Sequence, residues 1–235
     1  MKTQNLALVA WGRNLGSTVG EGKFTKKIKD MVTLPPFYKS VVVGLLLSDG
    51  WLIFSHSISK NARLGLAQSY SKKAYVYFVF LFLSHYCNSF PAYRTNTRKN
   101  KISQSVCLTT RALPCLTELH KIFYVNKVKV IPSNIYDLLT PVALAHWIAG
   151  DGSVQAHGLI LCTDSYSIQE VVLLINVLIV KYGLECTLRN HLGIYPRIYI
   201  RQRSMPLLRS IVRLHMNTSM LYKLGAADKE LKPLI

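Results

Sequence analysis

Val41-Val42-Val43-Gly44-Leu45-Leu46-Leu47-Ser48-Asp49-Gly50 and Ala143-Leu144-Ala145-His146-Trp147-Ile148-Ala149-Gly150-Asp151-Gly152 are the two stretches on which the fold turns. Each is apolar enough for a buried helix, and each ends in Asp-Gly. An Asp at a helix C-terminus meets the negative end of the macrodipole and is disfavoured, a sign that a bound cation would reverse. One Asp-Gly after a helix is ordinarily just a C-terminal turn; the same pair at the same place in two similar units asks for a reason. Gly44 and Ser48 stand four apart on the first helix, Ala145 and Ala149 on the second, so small residues share a face and allow close packing. Side by side, the helices would bring Asp49 and Asp151 together, a repulsion that Mg²⁺ would neutralise.

Working outward gives the same order of elements twice. After the first Asp-Gly, Trp51 to Ser59 is strand-like, Lys60-Asn61 marks a turn, Leu64 to Ser69 is a second strand and Lys72 to Tyr86 a helix. After the second come short strands around Val154 and at Leu159 to Thr163, then a helix from Ser167 to Lys181. Gln68-Ser69 and Asp164-Ser165 are the matching landmarks. Each unit continues with two strands, Ala92 to Thr97 and Ile102 to Thr109, or Glu185 to His191 and Arg197 to Gln202. Helices Leu113 to Phe123 and Met205 to His215 close them. Both halves therefore read helix, strand, strand, helix, strand, strand, helix, an α+β class, connected by Val125 to Leu139 with bends at Pro132 and Pro141.

The 235 residues carry 29 Lys and Arg against 11 acids, a formal charge of +18, and a polyanionic partner is the simplest reason to tolerate that self-repulsion. No acid occurs from Gly50 to Thr117, where Lys60, Arg63, Arg94, Arg98, Lys99, Lys101 and Arg111 fall, nor from Cys186 to Ala227, which holds Arg189, Arg197, Arg201 and Arg203. Biased composition alone would scatter the acids more evenly. In Pro196-Arg197-Ile198-Tyr199-Ile200-Arg201 alternation sends the isoleucines to one face and Arg197, Tyr199 and Arg201 to the other. A cationic strand face suits phosphates and major-groove base edges, where Arg reads guanine.

Five cysteines without a Cys-x-x-Cys point to buried free thiols in a reducing compartment rather than structural zinc. The longest apolar run, Ala74 to Leu83, is far short of a membrane span. Met1 to Met31 lacks the apolar run of a signal peptide and reads as a Gly-dotted polar arm, mobile until an anionic partner orders its lysines. The aromatics of Ala74 to Phe80 suit a helix core better than a base-stacking platform. The histidines show no paired metal spacing, and His56 and His191 are candidate DNA contacts.

Gly44 to Gly50 and His146 to Gly152 resemble the two motifs of double-motif LAGLIDADG homing endonucleases. The likeness extends through Ile131-Pro132-Ser133-Asn134, Leu139-Thr140-Pro141 and Ser219-Met220-Leu221-Tyr222-Lys223-Leu224 to the branch containing the yeast mitochondrial omega-intron enzyme, and covers about Leu34 to Leu224. It implies an arm (1–33), a first half (34–124), a linker (125–140), a second half (141–224) and a tail (225–235). The two αββαββα halves would be related by a pseudo-twofold and form a DNA-binding saddle of antiparallel sheets. It further implies a monomer that makes staggered cuts in a long double-stranded DNA site by Mg²⁺-assisted hydrolysis, with Mn²⁺ as substitute. Asp49 and Asp151 would hold metal, with Ser48 and Gly150 beside them, and Lys129 and Lys223 would support hydrolysis. Gln68 and its counterpart Asp164 are the remaining catalytic candidates. Two departures stand out: His146 replaces the small residue that Gly44 supplies, and Asp164 stands against Gln68.

An RNA-binding maturase that helps its host intron splice is the rival from another class, since the same scaffold and cationic faces can hold structured RNA. A peripheral membrane protein would need a basic amphipathic helix, which the sequence does not offer. Through the family likeness the location expected is the mitochondrial matrix, the product of an organelle intron.

Overall fold

The computed structural model describes residues 17–55, 59–98 and 101–225, without the side chains of 96, 98 and 101. The chain divides into two compact units, one comprising residues up to Val42 with Asp49–Ile122, the other Val43–Ser48 with the chain from Phe123. A short helix α1 (Lys26–Met31) precedes α2 (Pro36–Leu47), which carries the first motif. Strands β1 (Gly50–Phe54), β2 (Ala62–Ser69), β3 (Ala92–Arg98) and β4 (Lys101–Thr109) form an antiparallel sheet in the order β1-β2-β4-β3, with α3 (Lys73–Leu83) between β2 and β3 and α4 (Pro114–Phe123) at the end. Tyr75, Val76, Val79, Phe80 and Leu83 make one buried stripe of α3, the helical spacing that covers one sheet face.

The second unit repeats this order. α6 (Pro141–Asp151) carries the second motif, and β7 (Gly152–Gln155), β8 (Gly158–Leu161), β9 (Cys186–His191) and β10 (Tyr195–Ile200) pair as β7-β8-β10-β9. α7 (Ile168–Tyr182) lies between β8 and β9, and α8 (Met205–Val212) follows β10. Both halves are therefore αββαββα. Thr140 caps α6, its hydroxyl accepting from Ala143 N–H, with Pro141 in the first turn. Ser167 and Glu170 form a capping box on α7, which ends at left-handed Gly183 (φ 65°).

The connection is more structured than the sequence suggests. Tyr124–Val125 (β5) and Val128–Lys129 (β6) form a small hairpin whose turn residues Asn126 and Lys127 both have positive φ, the geometry of a tight two-residue turn. A single-turn helix α5 (Ile135–Leu138) follows. At the other end, of the arm Met1 to Met31 expected to be mobile, residues 1–16 lie outside the described residues and 17–24 are anchored: Thr18 is fully buried, its hydroxyl donating toward the His85 and Cys87 carbonyls.

α2 and α6 are nearly all apolar, and Leu45, Leu46, Leu47, Trp147 and Ile148 are buried. Gly44 fits here because it lacks a side chain: a Cβ would lie 2.4 Å from the Ala143 carbonyl oxygen and 2.6 Å from His146 Cβ. The first departure from motif symmetry is thus a packing arrangement, the His146 Cβ set against a glycine.

Candidate active site and nucleic-acid interface

The two motif helices end differently. α2 stops at Leu47, and the Ser48 hydroxyl donates back to the carbonyls of Gly44 (3.1 Å) and Leu45 (3.3 Å). Asp49 is exposed, and its Oδ2 accepts from Gln68 Nε2 at 2.5 Å. α6 runs through Asp151, which is half-buried, and a Cβ on Gly152 would meet the Ile148 carbonyl oxygen at 2.5 Å. The second helix therefore holds its acid within its own last turn.

A lysine reaches the end of each helix. Lys129, presented by β6, donates to the carbonyls of Leu46 (2.9 Å) and Ser48 (3.3 Å). Lys223, buried in a 3₁₀ turn (Thr218–Leu224), donates to the Gly150 carbonyl at 2.5 Å. A cation at a helix C-terminus satisfies orphan carbonyls and opposes the macrodipole. In sequence, each gripped carbonyl, Ser48 or Gly150, immediately precedes an acid. By themselves lone lysines in a basic chain read as surface charge; the family resemblance singled these two out, and the fold sets each at a helix end.

Tyr166, which sequence reasoning missed, is buried and its hydroxyl donates to the Leu46 carbonyl at 3.4 Å. Burial, with the Asp151 charge next, pushes its phenol well above the ordinary range. Cys162 was missed too. Burial raises its thiol, Arg197 and Lys223 oppose that rise, and Asp151 and Asp164 reinforce it, so the thiol lies in the field of all four groups.

Strand register corrects the counterpart of Gln68. Gly50 pairs with Leu66 and Gly152 with Leu161, so two residues beyond Leu161 stands Thr163, not Asp164. Thr163 is buried and donates to the Pro196 carbonyl at 2.6 Å. Asp164, one residue on, receives a two-pronged contact from Arg197, Nε to Oδ1 and Nη2 to Oδ2, both 2.6 Å. That hydrogen bonding holds its carboxyl below the ordinary value.

The solvent face of the second sheet carries Ser153, Gln155, Cys162, Arg189, His191 and Arg197 around one hollow. Arg189 stacks 3.7 Å from the Tyr199 ring centroid. Arg201 and Arg203 both face Glu185. On the first sheet Arg63 is half-buried and Arg94 is exposed, as is Lys60 in the β1–β2 connection. Trp51, a residue not anticipated as a contact, lies over Gly65, where a Cβ would fall 2.4 Å from its Cε2. Arg111 departs from the expected interface: it is buried and its guanidinium binds the carbonyls of Thr18, Glu21 and Gly22. His56 and Lys99, and the side chains of Arg98 and Lys101, lie outside what the structure describes.

Residues 39–208 match the model of the LAGLIDADG DNA endonuclease family. The chain is 33% identical over 171 residues to the cytochrome b mRNA maturase bI2 of Debaryomyces hansenii, covering 71% of this chain and 65% of that protein. Against its namesake in Saccharomyces cerevisiae the figures are 31%, 79% and 47%, so the chain spans about half to two thirds of these relatives. The probable intron-encoded endonuclease 1 of Wickerhamomyces canadensis is 27% identical over 227 residues, 90% of this chain and 95% of that one. Among solved structures, the homing endonuclease I-WcaI bound to its DNA recognition sequence matches with a TM-score of 0.80 at 23% identity, over 89% of this chain and 98% of that one, a likeness of fold.

Proposed function

Because the chain belongs to the LAGLIDADG DNA endonuclease family, we propose that it is a single-chain, site-specific endonuclease that makes a staggered double-strand break by metal-assisted phosphodiester hydrolysis. The observation that carries this reading is the repeated helix end. Lys129 grips the carbonyl before Asp49, and Lys223 the carbonyl before Asp151, an arrangement that local folding alone does not require twice.

The donor set suits a hard cation shared with substrate. Among the described residues no group of three or more His, Cys, Asp or Glu could hold a metal by itself. Each helix end instead offers one carboxylate, Asp49 or Asp151, and one carbonyl, Ser48 or Gly150, whose second lone pair remains after the lysine bond. Mg²⁺ typically takes one or two carboxylates and fills its shell with water and substrate phosphates, and Mn²⁺ would substitute. Bound there, the cation would lower the pKa of a water and offset charge on the leaving oxygen.

The chain's own groups do the remainder. Gln68 fixes the rotamer of Asp49, and Lys129 and Lys223 bring fixed positive charge where phosphate charge builds up. Arg63, Arg94, Arg189, His191, Arg197 and Tyr199, with Trp51, would meet the DNA. Asp164 we assign to holding Arg197 rather than to catalysis, because its fork leaves the guanidinium edge aimed rather than free.

The test is incubation with Mg²⁺ and DNA spanning the intron-free insertion site of the host gene, beside the double variant Asp49→Asn, Asp151→Asn. Cutting by the wild type alone is the outcome expected; tight binding without cutting in Mg²⁺ or Mn²⁺ would remove the catalytic claim. The 33% identity to a cytochrome b mRNA maturase favours a second reading, assistance to splicing of the host intron, which does not need the two acids. We assign the protein to the mitochondrial matrix as the product of an organelle intron, a reading supported by relatives named as a cytochrome b mRNA maturase and an intron-encoded endonuclease.

A further inference from the structure

Arg111 is a buried cation whose role the sheet faces do not explain. Its guanidinium donates to the carbonyls of Thr18 (3.0 Å), Glu21 (2.9 Å) and Gly22 (2.8 Å) and lies 4.0 Å from the Phe24 ring centroid. Gly20 N–H adds a bond to the Asn88 carbonyl at 3.1 Å. These contacts fix residues 17–24 on the first unit, and with them α1, which starts two residues later and is capped by Thr25. Yet α1 buries none of its own residues. What the anchoring delivers is charge: Lys26, Lys27 and Lys29, with Asp30 the one acid of the helix. Lys26 and Lys29 share a hollow of about 530 Å³ with Lys60 and Asn61 of the β1–β2 connection, and Asp30 also lines it.

We propose that α1 and Lys60 form a phosphodiester-binding surface, held in place by Arg111, that grips nucleic-acid backbone at the end of the first sheet where β1 turns into β2. The inference rests on the proposed nucleic-acid function and deepens it. A free lysine arm would lose conformational entropy on binding, and an arm already docked avoids that cost. The shared chemistry is the phosphate backbone, of target-flanking DNA or of the host intron RNA.

The experiment compares wild type, Lys26→Gln/Lys27→Gln/Lys29→Gln and the corresponding triple Arg variant, all full-length, across a salt series. The probes are a random-sequence DNA duplex and a host-intron transcript. The Gln variant should lower the slope of log K against log salt by up to about 3 on DNA, and by somewhat less on RNA, while the Arg variant keeps it. A change on one probe alone identifies the source of the backbone. Unchanged slopes on both probes, or an equal loss in the Arg variant, would overturn the proposal. Cutting of the insertion-site DNA by wild type is read separately, so a protein that fails to cut but shows the slope change loses the nuclease reading and keeps this surface.

Discussion

The first motif helix hands its acid to solvent and to Gln68, whereas the second keeps its acid in its last turn and has buried Thr163 at the Gln68 position. Lys129 is half-exposed on a hairpin; Lys223 is buried. What both ends share is the acid and the lysine on the preceding carbonyl. What differs is everything that supports them. Duplicated halves drift wherever packing tolerates it, so the features that did not drift are those we assign to the chemistry.

Replacing either acid, Asp49→Asn or Asp151→Asn, should therefore do similar damage. Each should cut double-strand cleavage by more than about 100-fold, exceeding the ~10–100-fold typical of losing a supporting residue, which is the range expected for Gln68→Leu. Strand-resolved gels check this, and Gln68→Leu should accumulate nicked product. An Asp151→Asn protein that cuts both strands normally would break the equivalence of the two ends.

Gly44→Ala tests the packing beneath them. The added methyl meets backbone rather than a movable side chain, so urea unfolding should show a loss near the upper end of the roughly 1–3 kcal/mol seen for overpacked cores. A neutral result would mean the helices can move apart.

His146 should make stability fall in acid. Burial, with His215 second, pushes its imidazole down to about 3 from the ordinary 6.5, so the unfolded chain takes the proton first. The stabilisation is complete above about pH 6.5 and declines as pH drops toward 3, by about 2 kcal/mol at about pH 5. Urea midpoints at the two pH values measure it, and His146→Gln should flatten the difference.

The lysines sharpen the comparison further. Lys223→Met leaves a buried carbonyl without its charged donor and should cost about 1.5 kcal/mol; Lys129→Met, where water can enter, should cost less. The smallest effect belongs to Asp164→Asn. An exposed ion pair contributes about 0–1 kcal/mol, so folding and cutting should persist while discrimination among target-site variants relaxes. Loss of cutting on the best target would return Asp164 to the catalytic group.

The repeat, the αββαββα order and the two acids were legible because apolar periodicity and a duplicated Asp-Gly do not depend on partners. Register was not. One extra residue separates Leu161 from Asp164 compared with Leu66 and Gln68, and only strand pairing reveals that Thr163 takes the matching place. Arg111 misled for a related reason: it lies in an acid-free stretch, where a cation reads as surface, yet the carbonyls that bury it are some ninety residues away in sequence. The hairpin carrying Lys129 turns on Asn126-Lys127, which lacks the glycine that would have announced it.

The histidine set against a glycine also bears on the duplication. Had both motifs carried a histidine at this place, the second would have had to fit where even a methyl on Gly44 would lie 2.4 Å from backbone. A histidine at 146 therefore depends on glycine being kept at 44, and the two motif copies are tied to each other by a choice of residue that neither could make alone.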